Sequence, residues 1–103
     1  MDNYTQDKAY YQFTRFIAAG KHKQLNLNAY DIAILTMIVR YLDMPLGFCS
    51  LTQENFAKEC CMSLREFKRR TQFLVKNKII FRYFRKHCYF YELGEFLTNF
   101  STE

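Results

Sequence analysis

A chain of 103 residues is long enough for one domain with a real core and too short for two. Half of its residues are hydrophobic and 18% are aromatic, which excludes a disordered tail, and no run of about 18 apolar residues is present to cross a bilayer. The net charge of +5 is unevenly spread: Lys58 to His87 holds ten Lys and Arg against two acids, a local +8, while the rest holds five basic and eight acidic residues, a net −3. Solvated faces normally mix both signs, so this asymmetry points to a polyanionic partner.

The start MDNYTQDK is acidic and polar, without the basic-then-apolar pattern of a signal peptide, so the expectation is a cytoplasmic protein with no membrane role. Tyr10, Phe13, Phe16 and Ile17 recur at helical spacing and predict a helix over 4–19 that Gly20 ends. One local device then appears three times: Leu27-Asn28 before Asp31-Ile32, Leu51-Thr52 before Asn55-Phe56, and Met62-Ser63 before Glu66-Phe67. Each is a hydrophobic staple with a capping residue. Ser63 and Glu66 are expected to form a full capping box and the other two looser versions. Three helix starts follow.

The first of these helices, over 29–42, is apolar nearly all round, which suits a central helix covered on several sides. Pro45-Leu46-Gly47 marks a connection, and Phe48 to Leu51 fits one short strand. A brief helix from Gln53 to Cys60 and a longer one from Leu64 to Asn77 make a pair over 53–77, with Phe67, Thr71, Leu74 and Val75 facing inward on the second. The β-branched and aromatic run IIFRYFRKHCYFYEL reads as a hairpin over 79–93, charged in the middle at Arg85, Lys86 and His87. A last short helix is expected over 95–100. The whole is a single, mainly α domain with a small β-hairpin, an α+β arrangement.

Cys49, Cys60, Cys61 and Cys88 include no CxxC pair, and His22 and His87 add no recognisable ligand spacing. No metal, no cofactor and reduced cysteines are therefore expected. No paired carboxylates, nucleophile motif or Gly-rich phosphate loop is present either, and an enzyme is not expected.

Helix, short strand, short helix, tight turn, basic helix and hairpin follow in the order of a winged helix-turn-helix. The segment TQENFAKECCMSLREFKRRTQFLVKNKII resembles the helix-turn-helix of plasmid and phage replication initiators and related mobile-element proteins. The match lies in Thr52-Gln53-Glu54, Phe56-Ala57, Cys61, Met62 and Ser63, with Lys78-Ile79-Ile80 where the family tends to have Gly-Leu-Ile. It covers about forty of the 103 residues. Two positions depart from the family pattern. Cys61 occupies the turn where glycine is usual, which implies a left-handed backbone at a cost of about 1 kcal/mol. Arg70 stands where a small inward residue is usual, which implies either a stem lying along the core edge or a shifted register.

The resemblance implies double-stranded DNA as partner. Arg65, Lys68, Arg69 and Gln72 then share the outward face of the second helix, where Arg can read guanine and Gln adenine in the major groove. Arg82, Arg85, Lys86 and His87 on the hairpin are expected to reach phosphates or the minor groove, and Thr52, Gln53 and Lys58 to fix the register on the backbone. Tyr10, Tyr11, Phe13, Phe96 and Phe100 exceed what one small core needs, and Tyr10, Phe13, Ile17, Phe96 and Phe100 are assigned to a homodimer contact. The expected function is a sequence-specific DNA-binding protein of a plasmid, phage or other mobile element, serving replication, partition, conjugative transfer or transcription control. With so little chain beyond the hairpin, the binding module is expected to be the whole protein. The alternative is a winged helix used for contacts with other proteins of a nucleoprotein complex.

Overall fold

The computed structural model describes residues 4–41, 52–85 and 88–94. Five helices, α1 (Tyr4–Ala18), α2 (Lys21–Gln24), α3 (Ala29–Tyr41), α4 (Gln53–Glu59) and α5 (Leu64–Lys76), precede a hairpin of β1 (Ile80–Arg85) and β2 (Cys88–Leu93). The expected mainly α fold with one antiparallel hairpin is what is found. The single turn α2 was not expected. The strand expected over 48–51 and the helix over 95–100 lie outside the described residues.

Three helices end in the same way. After α2, α4 and α5 a residue with positive φ is followed by an apolar one: Asn26 (62°) and Leu27, Cys61 (58°) and Met62, Lys78 (59°) and Ile79. The amide of Cys61 donates to the Lys58 carbonyl and that of Met62 to Ala57, and the same paired bonds recur at Asn26-Leu27 and Lys78-Ile79. These are Schellman endings, in which the left-handed residue turns the chain and the apolar one folds back on the helix. The left-handed backbone expected at Cys61 is present, and Lys78 shares it. Neither side chain gains from that geometry, which costs about 1 kcal/mol each.

Leu27 and Met62 act twice, closing one helix and preceding the cap of the next. At α3 the capping box is complete: the Asp31 amide donates to Asn28 Oδ1 at 3.0 Å, and the Asn28 amide to Asp31 Oδ2 at 2.9 Å. At α5 only half of the expected box forms. Ser63 Oγ accepts from the Glu66 amide, but the Glu66 carboxylate turns to Arg69 instead. The nearby guanidinium outcompetes a backbone N–H for that carboxylate because it adds full charge to the hydrogen bond.

The core gathers around α3, whose Ile34, Leu35, Ile38 and Val39 are fully buried with Phe16, Phe56, Phe67, Leu74, Ile79 and Ile80. Phe56 joins the layers, its ring 4.9 Å from Phe67 and 5.4 Å edge-on from Tyr91. Thr71 sits in the same core, its hydroxyl donating to its own helix at Phe67 O and Lys68 O.

One ion pair joins α3 to α5. Asp31 has no solvent exposure, and both of its oxygens accept from Arg70, with Nε to Oδ1 at 2.8 Å. The Arg70 guanidinium also lies 4.4 Å over the Phe73 ring. Arg70 is therefore neither a snorkelling stem nor a sign of shifted register, since Phe67, Thr71 and Leu74 face the core as expected.

In the hairpin, Ile80 pairs with Leu93, Arg82 with Tyr91, Tyr83 with Phe90 and Phe84 with Tyr89. Ile80, Tyr91 and Leu93 are buried. The base of the hairpin closes where the Gly94 amide donates to the Ile79 carbonyl at 2.7 Å. A Cβ on Gly94 would stand 2.2 Å from Lys78 O, so only glycine fits.

Candidate nucleic-acid interface

Helix α5 separates its two faces cleanly. Phe67, Thr71 and Leu74 are buried at spacings of four and three, which places Arg65, Lys68, Arg69, Gln72 and Lys76 on the exposed side. The Ser63 cap and the tie from Arg70 to Asp31 hold the helix at both its start and its middle. Arg69 pairs with Glu66 one turn back, so part of its charge is already answered. Among the described residues, neither Arg65 nor Lys68 makes an ion pair. The Glu66 carboxylate, which would repel phosphate if free, is held by Arg69.

The start of α4 carries Thr52 and Gln53, and its last turn carries Lys58. Thr52 is exposed, but its hydroxyl caps the helix by accepting from the Asn55 amide at 3.0 Å. Lys58 is exposed. Gln53 is half-buried and hydrogen-bonded to the Tyr91 hydroxyl, which also meets Arg82. Burial pushes that hydroxyl up to about 12 against the opposing pull of the Arg82 charge, so it stays protonated at neutral pH.

Arg82 lies on the inner side of the hairpin, 5.2 Å over the Tyr89 ring. With Gln53 it meets the Tyr91 hydroxyl, tying the hairpin to the start of α4, and contact with phosphate would have to break this arrangement. Sequence periodicity had no means of showing it, because the partners are brought together only by the fold. Arg85 ends β1, whereas Lys86 and His87 lie outside the described residues.

The residues assigned to a dimer contact divide. Phe13 is buried in the chain's own core, which takes it out of a surface contact, while Ile17 is half-buried against that core. Tyr10 is exposed, as is its neighbour Tyr11, whose hydroxyl accepts from Arg15 at 3.0 Å. Phe96 and Phe100 lie outside the described residues.

The thiols differ sharply. Cys60 is buried, and burial, with Cys61 and Glu59 adding to it, raises its pKa to about 12, so it acts as a small apolar residue. Cys61 is exposed in the turn between α4 and α5. Among the described residues no three His, Cys, Asp or Glu gather as a metal site, and no helix is long and apolar enough to cross a membrane.

Set beside known proteins, the chain matches no family model, no curated protein and no solved structure.

Proposed function

We propose that the chain is a winged helix-turn-helix that binds duplex DNA without catalysis, α4 and α5 forming the helix-turn-helix and the hairpin the wing. The observation that carries this reading is the exposed face of α5, where Arg65, Lys68, Arg69 and Gln72 stand together at helical spacing opposite a buried face. A helix of this width and charge fits the major groove, and its bidentate and amide side chains suit base edges. Thr52 and Lys58 flank it as backbone contacts, and the hairpin sequence adds the positive charges of Arg85 and Lys86. Service to a plasmid, phage or other mobile element remains the setting that the helix-turn-helix resemblance supports. Exposed Tyr10 and Tyr11 on α1 favour a second copy or another protein docking there, compatible with two modules on two half-sites.

The test separates reading from holding. Replacing Arg65 and Lys68 by alanine is expected to cost about 1 to 3 kcal/mol per base contact and to flatten the preference for a selected site over random duplex. Replacing Arg85 and Lys86 is expected to weaken all duplexes nearly equally. Competition binding against a site selected from a random pool measures both. If the wing pair abolished discrimination and the helix pair left it intact, α5 would not be the reading element.

A further inference from the structure

Glu66 has two partners within reach and uses one. At the start of α3 the capping box closes in both directions, through the Asp31 amide and the Asn28 amide. The start of α5 repeats the device, and Ser63 Oγ accepts from the Glu66 amide at 3.1 Å, yet the Glu66 carboxylate accepts from Arg69 one turn on. Among the described residues no acceptor meets the Ser63 amide. The half of the box that a Glu at this position normally closes is left to solvent.

Exposure is unequal across the pair. The Arg69 side chain is 62% exposed and that of Glu66 23%. The guanidinium can leave toward a ligand while the carboxylate stays at the helix start, and an exposed pair at this spacing is weak enough to be exchanged. Glu66 is also the sole Asp or Glu between Cys60 and Tyr91, against nine Lys and Arg. A lone carboxylate in that stretch opposes approach by phosphate, whereas one folded onto the Ser63 amide is answered by the positive end of α5.

We infer that Glu66 is a specificity-determining residue, which holds Arg69 back on random duplex and releases it, closing the capping box at Ser63, when a base edge takes the guanidinium. Phosphate competes with the carboxylate as one anion against another and brings a second negative charge beside Glu66. The guanine edge offers Arg69 two acceptors and no net charge. The discrimination rests on the proposed duplex reading; the exchange of Glu66 between Arg69 and Ser63 does not.

Two measurements on the full chain carry the test. Without DNA, Arg69→Ala is expected to shift the Ser63 amide proton downfield in the NMR spectrum, as the freed carboxylate accepts from it, and the shift is expected to be lost when that carboxyl is protonated. With DNA, a duplex selected from a random pool and a random duplex of the same length are titrated by fluorescence anisotropy with the wild type and with Glu66→Gln, which keeps the reach of the capping box and loses the charge. Glu66→Gln is expected to bind the random duplex about tenfold more tightly and the selected one about twofold, so that discrimination falls roughly fivefold and the salt slope on random duplex steepens by about 1. In an Arg69→Ala background the same change is expected to alter discrimination by less than about twofold, because Glu66 acts through Arg69.

Equal tightening of both duplexes by Glu66→Gln would make Glu66 a plain repulsive charge and overturn the inference while leaving duplex binding intact. A Ser63 amide that does not move in Arg69→Ala would overturn the exchange whatever the duplexes show. No binding of either duplex by the wild type would sink the duplex reading, and discrimination by Glu66 with it.

Discussion

Replacing Arg70 by alanine is expected to destabilise the fold by about 3 to 5 kcal/mol, measured by urea unfolding. Asp31 is fully buried and caps α3 by accepting from the Asn28 amide, so its carboxylate cannot leave when the guanidinium is removed. The cost is that of an uncompensated buried charge, several times larger than the loss of an exposed ion pair. The pair Arg69–Glu66, with Arg69 exposed on the α5 surface, provides the contrast: Arg69→Ala is expected to change stability by less than about 1 kcal/mol. Asp31→Asn together with Arg70→Met should lose far less than the two single changes summed, because neither charge is then stranded. A loss below about 1 kcal/mol for Arg70→Ala would contradict the role given to this pair as the tie between the central helix and α5.

Gly94→Ala is expected to cost at least about 3 kcal/mol, from steric overlap and the lost hairpin-closing hydrogen bond together. The added Cβ would meet Lys78 O at 2.2 Å and Ile79 O at 2.7 Å, and both are backbone atoms held by the Schellman ending of α5. Neither can give way without opening the hairpin base. Gly20 makes the comparison: its φ is +76° but a Cβ there meets nothing within 4 Å, so Gly20→Ala is expected to cost only about 1 kcal/mol of backbone strain. Equal losses at the two positions in thermal or urea unfolding would show that close approach is not what selects glycine at position 94.

Much of the fold was legible because its signals are local. The apolar run of α3, the inward spacing of Phe67, Thr71 and Leu74, and the β-branched and aromatic run of the hairpin are each read from neighbouring residues. The left-handed turn at Cys61 was expected from the resemblance, in which glycine is usual at that position. What escaped depends on residues far apart in sequence. Arg70 looks out of place until Asp31, 39 positions earlier, is brought against it. Arg82 and Gln53 look like free polar side chains until both are seen to meet the Tyr91 hydroxyl. Phe13 carries no mark in sequence that separates a dimer contact from a core residue. The direction of the Glu66 carboxylate was likewise beyond pattern, since the capping bond and the Arg69 pair compete within about one turn of helix.

The duplex-binding claim is met most directly by titrating a random-sequence duplex with the full chain at several salt concentrations. Seven of the ten clustered basic residues remain when Arg69, Arg70 and Arg82, which have partners among the described residues, are set aside. If about six of these meet phosphate, log K is predicted to fall against log salt with a slope of roughly −5. A slope near zero, or no measurable affinity at low salt, would contradict the reading of this surface as a DNA interface.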